Sequence, residues 1–356
     1  MKKAGTVLIT LALAGLGFWL LGDNEEGTPK QDTAAALPEN ENPSVPEPIT
    51  QPLPLAKQEN PAVEPEEPLP VVEVPEAMTA QFSLVAQTFE QELHYPPYSQ
   101  PILSADSPYL TPNRFSEVEM PVLDGKESAV LSLDKYRFFY PEPVHFKVKS
   151  ALPVLGMRYT LLDIASRAEV ASGRSEDALG EMQPDESASS QLRLKVTVRF
   201  EGGSDVLTAD ISYANPVAYV TGAQPTFTQQ ADWMIPVTID AKQGGIYRLR
   251  ANLYREDGTP VAVLTEKKKL SEGEGEIILK AHQSVFGGQS GTFTLKDLQL
   301  ERMSGRPGEE TQYGVSQVGQ IELGELSTDS LSDAPYQPSD QERQQLRFLK
   351  HLAGEA

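Results

Sequence analysis

The chain has 356 residues, no cysteine and a formal net charge of −21. Because nucleic-acid binding needs clustered lysine and arginine, this acidic balance excludes nucleic acid as the expected partner, and the basic run at 267–269 is too short to change that. The lack of cysteine excludes a disulfide framework and an amino terminus lipidated on cysteine.

The first predicted element is a membrane anchor. Lys2 and Lys3 precede the uncharged apolar run 4–22, which at about 1.5 Å rise per residue matches the thickness of a bilayer core. A cleaved signal peptide is the alternative, since both begin with basic and then apolar residues. We favour the anchor, because cleavage after 12–14 would leave an exposed apolar tail. The charge asymmetry predicts residues 1–22 as a cytoplasmic stub and single-pass anchor in a bacterial inner membrane, with the rest periplasmic or extracellular.

A spacer is predicted next, at residues 23–77. Proline and glutamate recur throughout this stretch. Proline removes backbone donors and fixes φ, and like charges repel, so the segment is expected to stay disordered and extended. In a full polyproline II conformation it would reach on the order of 170 Å at about 3.1 Å per residue. The sequence therefore predicts a long solvated stalk.

Residues 78–120 are predicted as a helix followed by an extended segment. Phe82, Val85, Phe89 and Leu93 recur at helical spacing on one face. Prolines interleaved with tyrosines follow, and the tyrosines chosen as interaction candidates are Tyr95, Tyr98 and Tyr109. This strip could dock on a partner or lie along its own domain as a clamp, and we favour the clamp.

Beyond residue 121 the apolar pattern switches to period two, which is typical of half-buried strands. Two β-sandwiches are predicted, at 121–215 and at 216–303, with hairpin turns at 201–204 and at Asp257-Gly258. Short strands separated by turns, with almost no helical periodicity, favour sandwiches over a doubly wound fold.

The sequence GGIYRLRANLYREDGTPVAVL is similar to the central hairpin of an immunoglobulin-like domain. Over residues 121–303 the chain resembles bacterial exported proteins with tandem immunoglobulin-like domains. The resemblance implies a mainly β chain of two tandem immunoglobulin-like β-sandwiches with adhesion, scaffolding or positioning roles, and it supplies no catalytic residues.

The tail, residues 304–356, is predicted as a loop over 304–338 followed by a short helix from Ser339 to about Ala353. Ser339 and Glu342 form a capping-box pattern that opens the helix. The interaction candidates on its apolar face are Leu346, Leu349 and Leu352. Such a short helix needs something to pack on. Docking onto the chain's own modules is favoured, and a partner protein is the alternative.

No arrangement of residues predicts catalysis, a metal or a cofactor. The four histidines lie far apart in the sequence, and the common nucleophile, zinc and phosphate-binding motifs are missing. The leading hypothesis is a non-enzymatic, membrane-tethered envelope scaffold or adaptor that holds another envelope or exported protein. A module that binds a glycan or cell-wall polymer is the alternative, and a hydrolase with a site assembled from distant residues is a third.

Overall fold

The computed structural model describes residues 75–355. The predicted anchor and nearly all of the predicted spacer lie outside this range, so both stay predictions. Neither helix in the described range is long and apolar enough to cross a membrane. The described chain is mainly β, with nineteen strands and two α-helices.

The helices lie at the two ends of the described chain, α1 at Glu76–Glu92 and α2 at Asp340–Leu352. Both confirm predicted helices, and α2 has the predicted capping box. The strands between them are, in chain order, β1 (Ser99–Pro101), β2 (Glu119–Val122), β3 (Glu127–Leu133), β4 (Arg137–Phe139), β5 (Val144–Ser150), β6 (Gly156–Asp163), β7 (Glu169–Ser175), β8 (Leu179–Met182), β9 (Gln191–Phe200), β10 (Gly203–Ala214), β11 (Ala218–Ala223), β12 (Phe227–Gln229), β13 (Asp232–Ala241), β14 (Gly245–Arg255), β15 (Pro260–Leu270), β16 (Gly273–His282), β17 (Gly291–Arg302), β18 (Gln312–Ser316) and β19 (Ile321–Leu326).

Strands β2 to β10 form two sheets, which we call the first β region. The strand orders are β4-β10-β9-β6-β7 and β2-β3-β5-β8. Pairing is antiparallel except between β4 and β10, which are parallel. Both sheets turn apolar side chains, among them Phe146, Leu194 and Tyr213, into one shared core. The alternation along β9, with every second residue buried, follows the period-two pattern of its sequence.

Strands β1 and β11 to β19 form one ten-stranded sheet, the second β region. The sheet curls on itself, so that β16, paired with β13, also contacts β15. Its interior is a single apolar core around Trp233, Tyr247 and Phe293. Strand β18 joins the two halves of the sheet, because it pairs in parallel with β11 and antiparallel with β17.

The prediction of a loop over 304–338 was wrong where β18 and β19 lie. Strand β18 has the sequence QYGVS, and Gly314 is its one buried residue. A Cβ at Gly314 would lie 2.6 Å from the carbonyl oxygen of Ala218. In β19 the buried residues Ile321 and Leu326 are five apart, and Gly324 between them has φ of +79°. Neither strand therefore shows an alternating apolar pattern, and the second β region extends well past the predicted boundary at 303.

Both predicted hairpins are confirmed. Strands β9 and β10 meet at Gly202-Gly203, and β14 and β15 at Asp257-Gly258, where Gly258 adopts a positive φ of +84°. In β17 a bulge beside Asp297, which has φ of +55°, shifts the register against β14. The bulge explains why the buried apolar residues of β17 stand at odd-numbered positions up to Leu295 and at an even-numbered position at Leu300.

Candidate interaction site: the connecting segment and the tyrosine cluster

Residues 94–118, which we call the connecting segment, begin as part of the second β region. Strand β1 pairs antiparallel with β15, with Ser99 opposite Leu264. The Thr265 N–H donates to the Tyr98 carbonyl at 2.9 Å, and the Ile102 N–H donates to the Val261 carbonyl at 3.0 Å. An edge strand tolerates the prolines of this segment, because one of its sides needs no backbone donors. This part of the tyrosine–proline strip thus lies along its own domain, as the favoured clamp hypothesis predicts.

Tyr98 anchors this edge strand through its side chain. Its hydroxyl donates to both carboxylate oxygens of Asp232, at 3.0 and 3.1 Å. The Lys280 ammonium lies 4.6 Å from the centre of the Tyr98 ring and also pairs with Glu266 at 2.9 Å. Burial, followed by the charge of Asp232, raises the pKa of Tyr98 far above its usual value. Tyr98 is therefore a neutral hydrogen-bond donor at any physiological pH.

His282 and Tyr336 complete the cluster around Tyr98. Asp232 and His282 are directly opposite each other on β13 and β16. The backbone N–H of His282 donates to the buried Ser99 hydroxyl at 3.1 Å. The His282 and Tyr336 rings meet edge to face with centres 6.4 Å apart. Burial lowers the pKa of His282, against the opposing charge of Asp232. We call Tyr98, Asp232, Lys280, His282 and Tyr336 the tyrosine cluster.

The tyrosine cluster continues into the C-terminal helix. The Tyr336 hydroxyl donates to Glu342 at 2.9 Å, and burial together with this carboxylate raises the pKa of Tyr336 to about 12. Glu342 is also the residue that closes the capping box of α2 on Ser339. The start of α2 and strand β1 are therefore fixed to the same part of the second β region.

The two helices pack against each other. Lys350 on α2 pairs with Glu90 on α1 at 2.8 Å, and the Ser83 hydroxyl of α1 donates to Glu355. Of the predicted apolar face, Leu352 is buried and Leu346 and Leu349 are half-buried. The C-terminal helix thus packs on α1, a contact between the two ends of the described chain.

The other two candidate tyrosines lie apart from the cluster. Tyr95 is half-buried just after α1. Tyr109 is 41% exposed, its carbonyl accepts from Asn252 at 2.6 Å, and the Arg250 guanidinium lies 5.5 Å from its ring centre. The strip is therefore a series of separate contacts along one body, and the tyrosines do not form a common surface.

The connecting segment then crosses to the first β region. The Asn113 side chain bonds the backbone of Arg137 twice, accepting from its N–H at 2.7 Å and donating to its carbonyl at 2.8 Å. Arg137 in turn stacks on Tyr313 of β18, with the guanidinium carbon 3.3 Å from the ring centre. Ser190 and Glu310 add a hydrogen bond of 3.0 Å between the two regions. The two β regions are thus joined by side-chain contacts as well as by the chain.

Sequence reasoning selected Tyr98 but missed its partners. They lie 134 or more positions away, and neither Asp232 nor His282 stands in a recognisable motif. Among residues 75–355, no group of three or more acidic or histidine side chains is arranged to hold a metal ion. The chemistry available to the tyrosine cluster is hydrogen bonding that fixes three segments together.

No family model and no curated protein matches the chain. Among solved structures, a DUF4785 family protein from Legionella pneumophila aligns over 58% of this chain and 59% of its own, with TM-score 0.40 and 13% identity. A biofilm-associated protein BSP domain aligns over 58% and 30%, with TM-score 0.20 and 9% identity. A β-glucuronidase of Bacteroides uniformis aligns over 49% and 30%, with TM-score 0.26 and 12% identity. The chain thus spans 59% of the Legionella protein and less of the other two, and likeness at this level identifies no function.

Proposed function

We propose that the protein is a non-enzymatic, membrane-tethered envelope scaffold that displays two immunoglobulin-like β-sandwiches on a long spacer. The observation that carries this proposal is that β1 is built into the second β region and that α1, just before it, packs on α2. These are the first described elements after the predicted spacer, and the Tyr98–Asp232 hydrogen bonds fix β1 in place. A tether attached to α1 would therefore hold the second β region through β1 and through the α1–α2 contact.

The joint between the two β regions supports a role in positioning. The Arg137–Tyr313 stack and the Asn113 hydrogen bonds cross it, and they restrain the two regions relative to each other. A scaffold needs such restraint, because a partner is held at a defined place only when the displaying modules keep a defined orientation. The partner we propose is another envelope or exported protein.

The proposal that each β region is an immunoglobulin-like sandwich rests on their sheets. The first region has two antiparallel sheets around one core, apart from the parallel β4–β10 pair. In the second, the curled sheet encloses one core in the same way. Two opposed sheet faces around a single core are the defining feature of this architecture.

The test uses the full-length protein in cells, with three variants. In the first, residues 1–22 are exchanged for a cleavable signal peptide. In the second, spacer residues 39–66 are deleted, which removes about 90 Å of reach at about 3.1 Å per residue. The third replaces 39–66 by a glycine–serine stretch of equal length and serves as the matched control. Membrane fractionation and in-cell crosslinking with mass spectrometry are the measurements.

We expect the first variant to leave the membrane fraction. The shortened variant should stay there but lose its crosslinks to the partner, and the length-matched variant should keep them. Membrane association of the first variant would contradict the anchor. Equal crosslinks from the shortened and full-length chains would contradict a role for reach.

A further inference from the structure

The outer face of the five-stranded sheet is basic, although the chain as a whole carries a net charge of −21. Arg158 on β6, Arg174 on β7, and Lys195 and Arg199 on β9 all point outward and are exposed. Arg158 is directly opposite Arg174, and Gly156, two residues before it, is opposite Arg199. We call these four cations the arginine face.

The arginine face has no ion pairs of its own within the described residues. No described carboxylate lies within 4.0 Å of any of its four cationic groups, whereas Arg193 on the same strand pairs with Asp210 at 2.6 Å. Arg199 donates to the Leu155 carbonyl at 2.8 Å, which orients it without neutralising it. Glu176 lines the same depression as the arginines, and its carboxylate oxygen lies 3.8 Å from the position that a Cβ on Gly156 would take, where the Arg199 guanidinium lies 3.5 Å away.

This arrangement costs stability in the free protein. Like charges directly opposite on neighbouring strands are destabilising, and Arg158 and Arg174 form such a pair. Folding alone would favour a hydroxyl or an acidic residue at one of the two positions, as Arg193 and Asp210 show on the same sheet. An anion placed between the guanidinium groups would remove the repulsion.

The shape and the neighbouring groups indicate which anion fits. Gly156 has no side chain, and a shallow depression lies there between Arg158, Arg174 and Arg199, with the Glu176 carboxylate in its wall. Hydroxyl groups surround the cations, with Thr160 opposite both Lys195 and Ser172. A guanidinium binds a carboxylate or phosphate through two parallel hydrogen bonds, and hydroxyl groups bind sugar hydroxyls. With strands about 4.8 Å apart, the cations span about 10 Å, which suits a chain with repeated anionic groups better than one small ion.

We propose that the arginine face binds an anionic glycan, a sugar polymer that carries carboxylate or phosphate groups. The proposal deepens the proposed function, since it rests on display of the first β region in the envelope and names what that region meets there. It assigns the binding to Arg158 and Arg174, with Arg199 and Lys195 in support.

The test measures binding of purified full-length protein in detergent to three immobilised polymers. Polygalacturonate offers carboxylates, phosphomannan offers phosphates, and dextran is the uncharged control. The variant R158Q/R174Q removes two charges from the face. The matched control K268Q/K269Q removes two charges from β15 in the second β region, where both lysines are exposed. The variant R158K/R174K keeps the charge and loses the two-pronged geometry.

We expect saturable binding to polygalacturonate, to phosphomannan or to both, without binding to dextran, and weaker binding as salt shortens the Debye length. R158Q/R174Q should bind about tenfold or more weakly, R158K/R174K in between, and K268Q/K269Q as the wild type does. Wild-type binding to neither anionic polymer, or an equal loss in R158Q/R174Q and K268Q/K269Q, would overturn the proposal. Polymer binding without membrane association would refute the tether and leave the arginine face standing, and the reverse result would refute the face alone.

Discussion

Replacing Tyr98 by phenylalanine tests whether the tyrosine cluster fixes the edge strand β1. The change removes the hydroxyl that donates to both oxygens of Asp232, at 3.0 and 3.1 Å, and keeps the ring. Among the described residues, the Asp232 carboxylate accepts no other side-chain hydrogen bond, so it is left without a donor. Hydrogen bonds to charged groups contribute about 1.5–3 kcal/mol, and for this half-buried pair we expect a loss of about 2 kcal/mol.

The loss should be local, because β1 is a three-residue strand at the edge of its sheet. Its opening frees the amides of Ile102 and Thr265, which bond across the β1–β15 pair. Hydrogen exchange at these amides reports the free energy of opening. A loss of about 2 kcal/mol corresponds to exchange faster by about 30-fold, since about 1.4 kcal/mol is a factor of ten. Exchange measured by mass spectrometry on the full-length protein resolves this change.

Tyr109→Phe is the matched control, since the Tyr109 ring is partly exposed and only its carbonyl accepts a hydrogen bond. Its exchange pattern should equal that of the wild type. The reasoning is refuted if Tyr98→Phe leaves exchange at Ile102 and Thr265 unchanged, or if both variants accelerate it equally. A double variant with Asp232→Asn then measures the coupling, and its effect should fall short of the sum of the two single changes.

Three further predictions follow from burial. Since burial lowers the pKa of His282, the unfolded state binds the proton more readily below about pH 6.5, so this residue's contribution to stability is present above that pH and is lost as pH falls. The melting temperature should therefore drop more between neutral pH and about pH 5.5 in the wild type than in His282→Gln. Equal drops in the two proteins would contradict the assignment. Gly314→Ala should cost about 1–3 kcal/mol in denaturant unfolding, because its Cβ would lie 2.6 Å from the Ala218 carbonyl oxygen, whereas Gly319→Ala, which meets nothing within 4 Å, should be neutral. Leu352→Asp should place a charge at a buried position of α2, the helix that packs on α1, and accelerate amide exchange in both helices, while unchanged exchange would contradict their packing.

Sequence patterning predicted the strands whose side chains alternate strictly. Strand β9 alternates over ten residues, and its hairpin with β10 was located from Gly202-Gly203. Such patterns are readable because the period of two reflects a sheet with one face in a core and one in solvent. The capping box at Ser339 predicted the start of α2 for a similarly local reason.

Strand β18 escaped prediction because its role is set by its neighbours. It lies between β17 and β11, and the close approach of the Ala218 backbone requires glycine at 314. In the sequence alone, a glycine in a stretch rich in serine and glycine predicts a loop. The contribution of β18 becomes visible only when both partner strands are in place.

The candidate site was predictable only in part, for the same reason. Tyrosine among prolines drew attention to Tyr98, but Asp232 and His282 reach it through the β13–β16 pairing. Their chemistry depends on burial, which no local pattern reports. The arginine face was not predicted at all, because neither Arg158 nor Arg174 stands in a distinctive sequence pattern and only the register of β6 and β7 brings them opposite each other.

The order in which the chain visits its two β regions gives the connecting segment its importance. The chain enters the second β region at β1, crosses through Asn113 to build the first region, and returns at β11 to complete the second. Tension on the proposed tether would therefore meet the α1–α2 contact and the tyrosine cluster before it reached a central strand of either core. The first β region, with its arginine face, is therefore an insertion in the sequence of the second β region, between β1 and β11. A tether that loads the second region would leave the first region folded and free to bind.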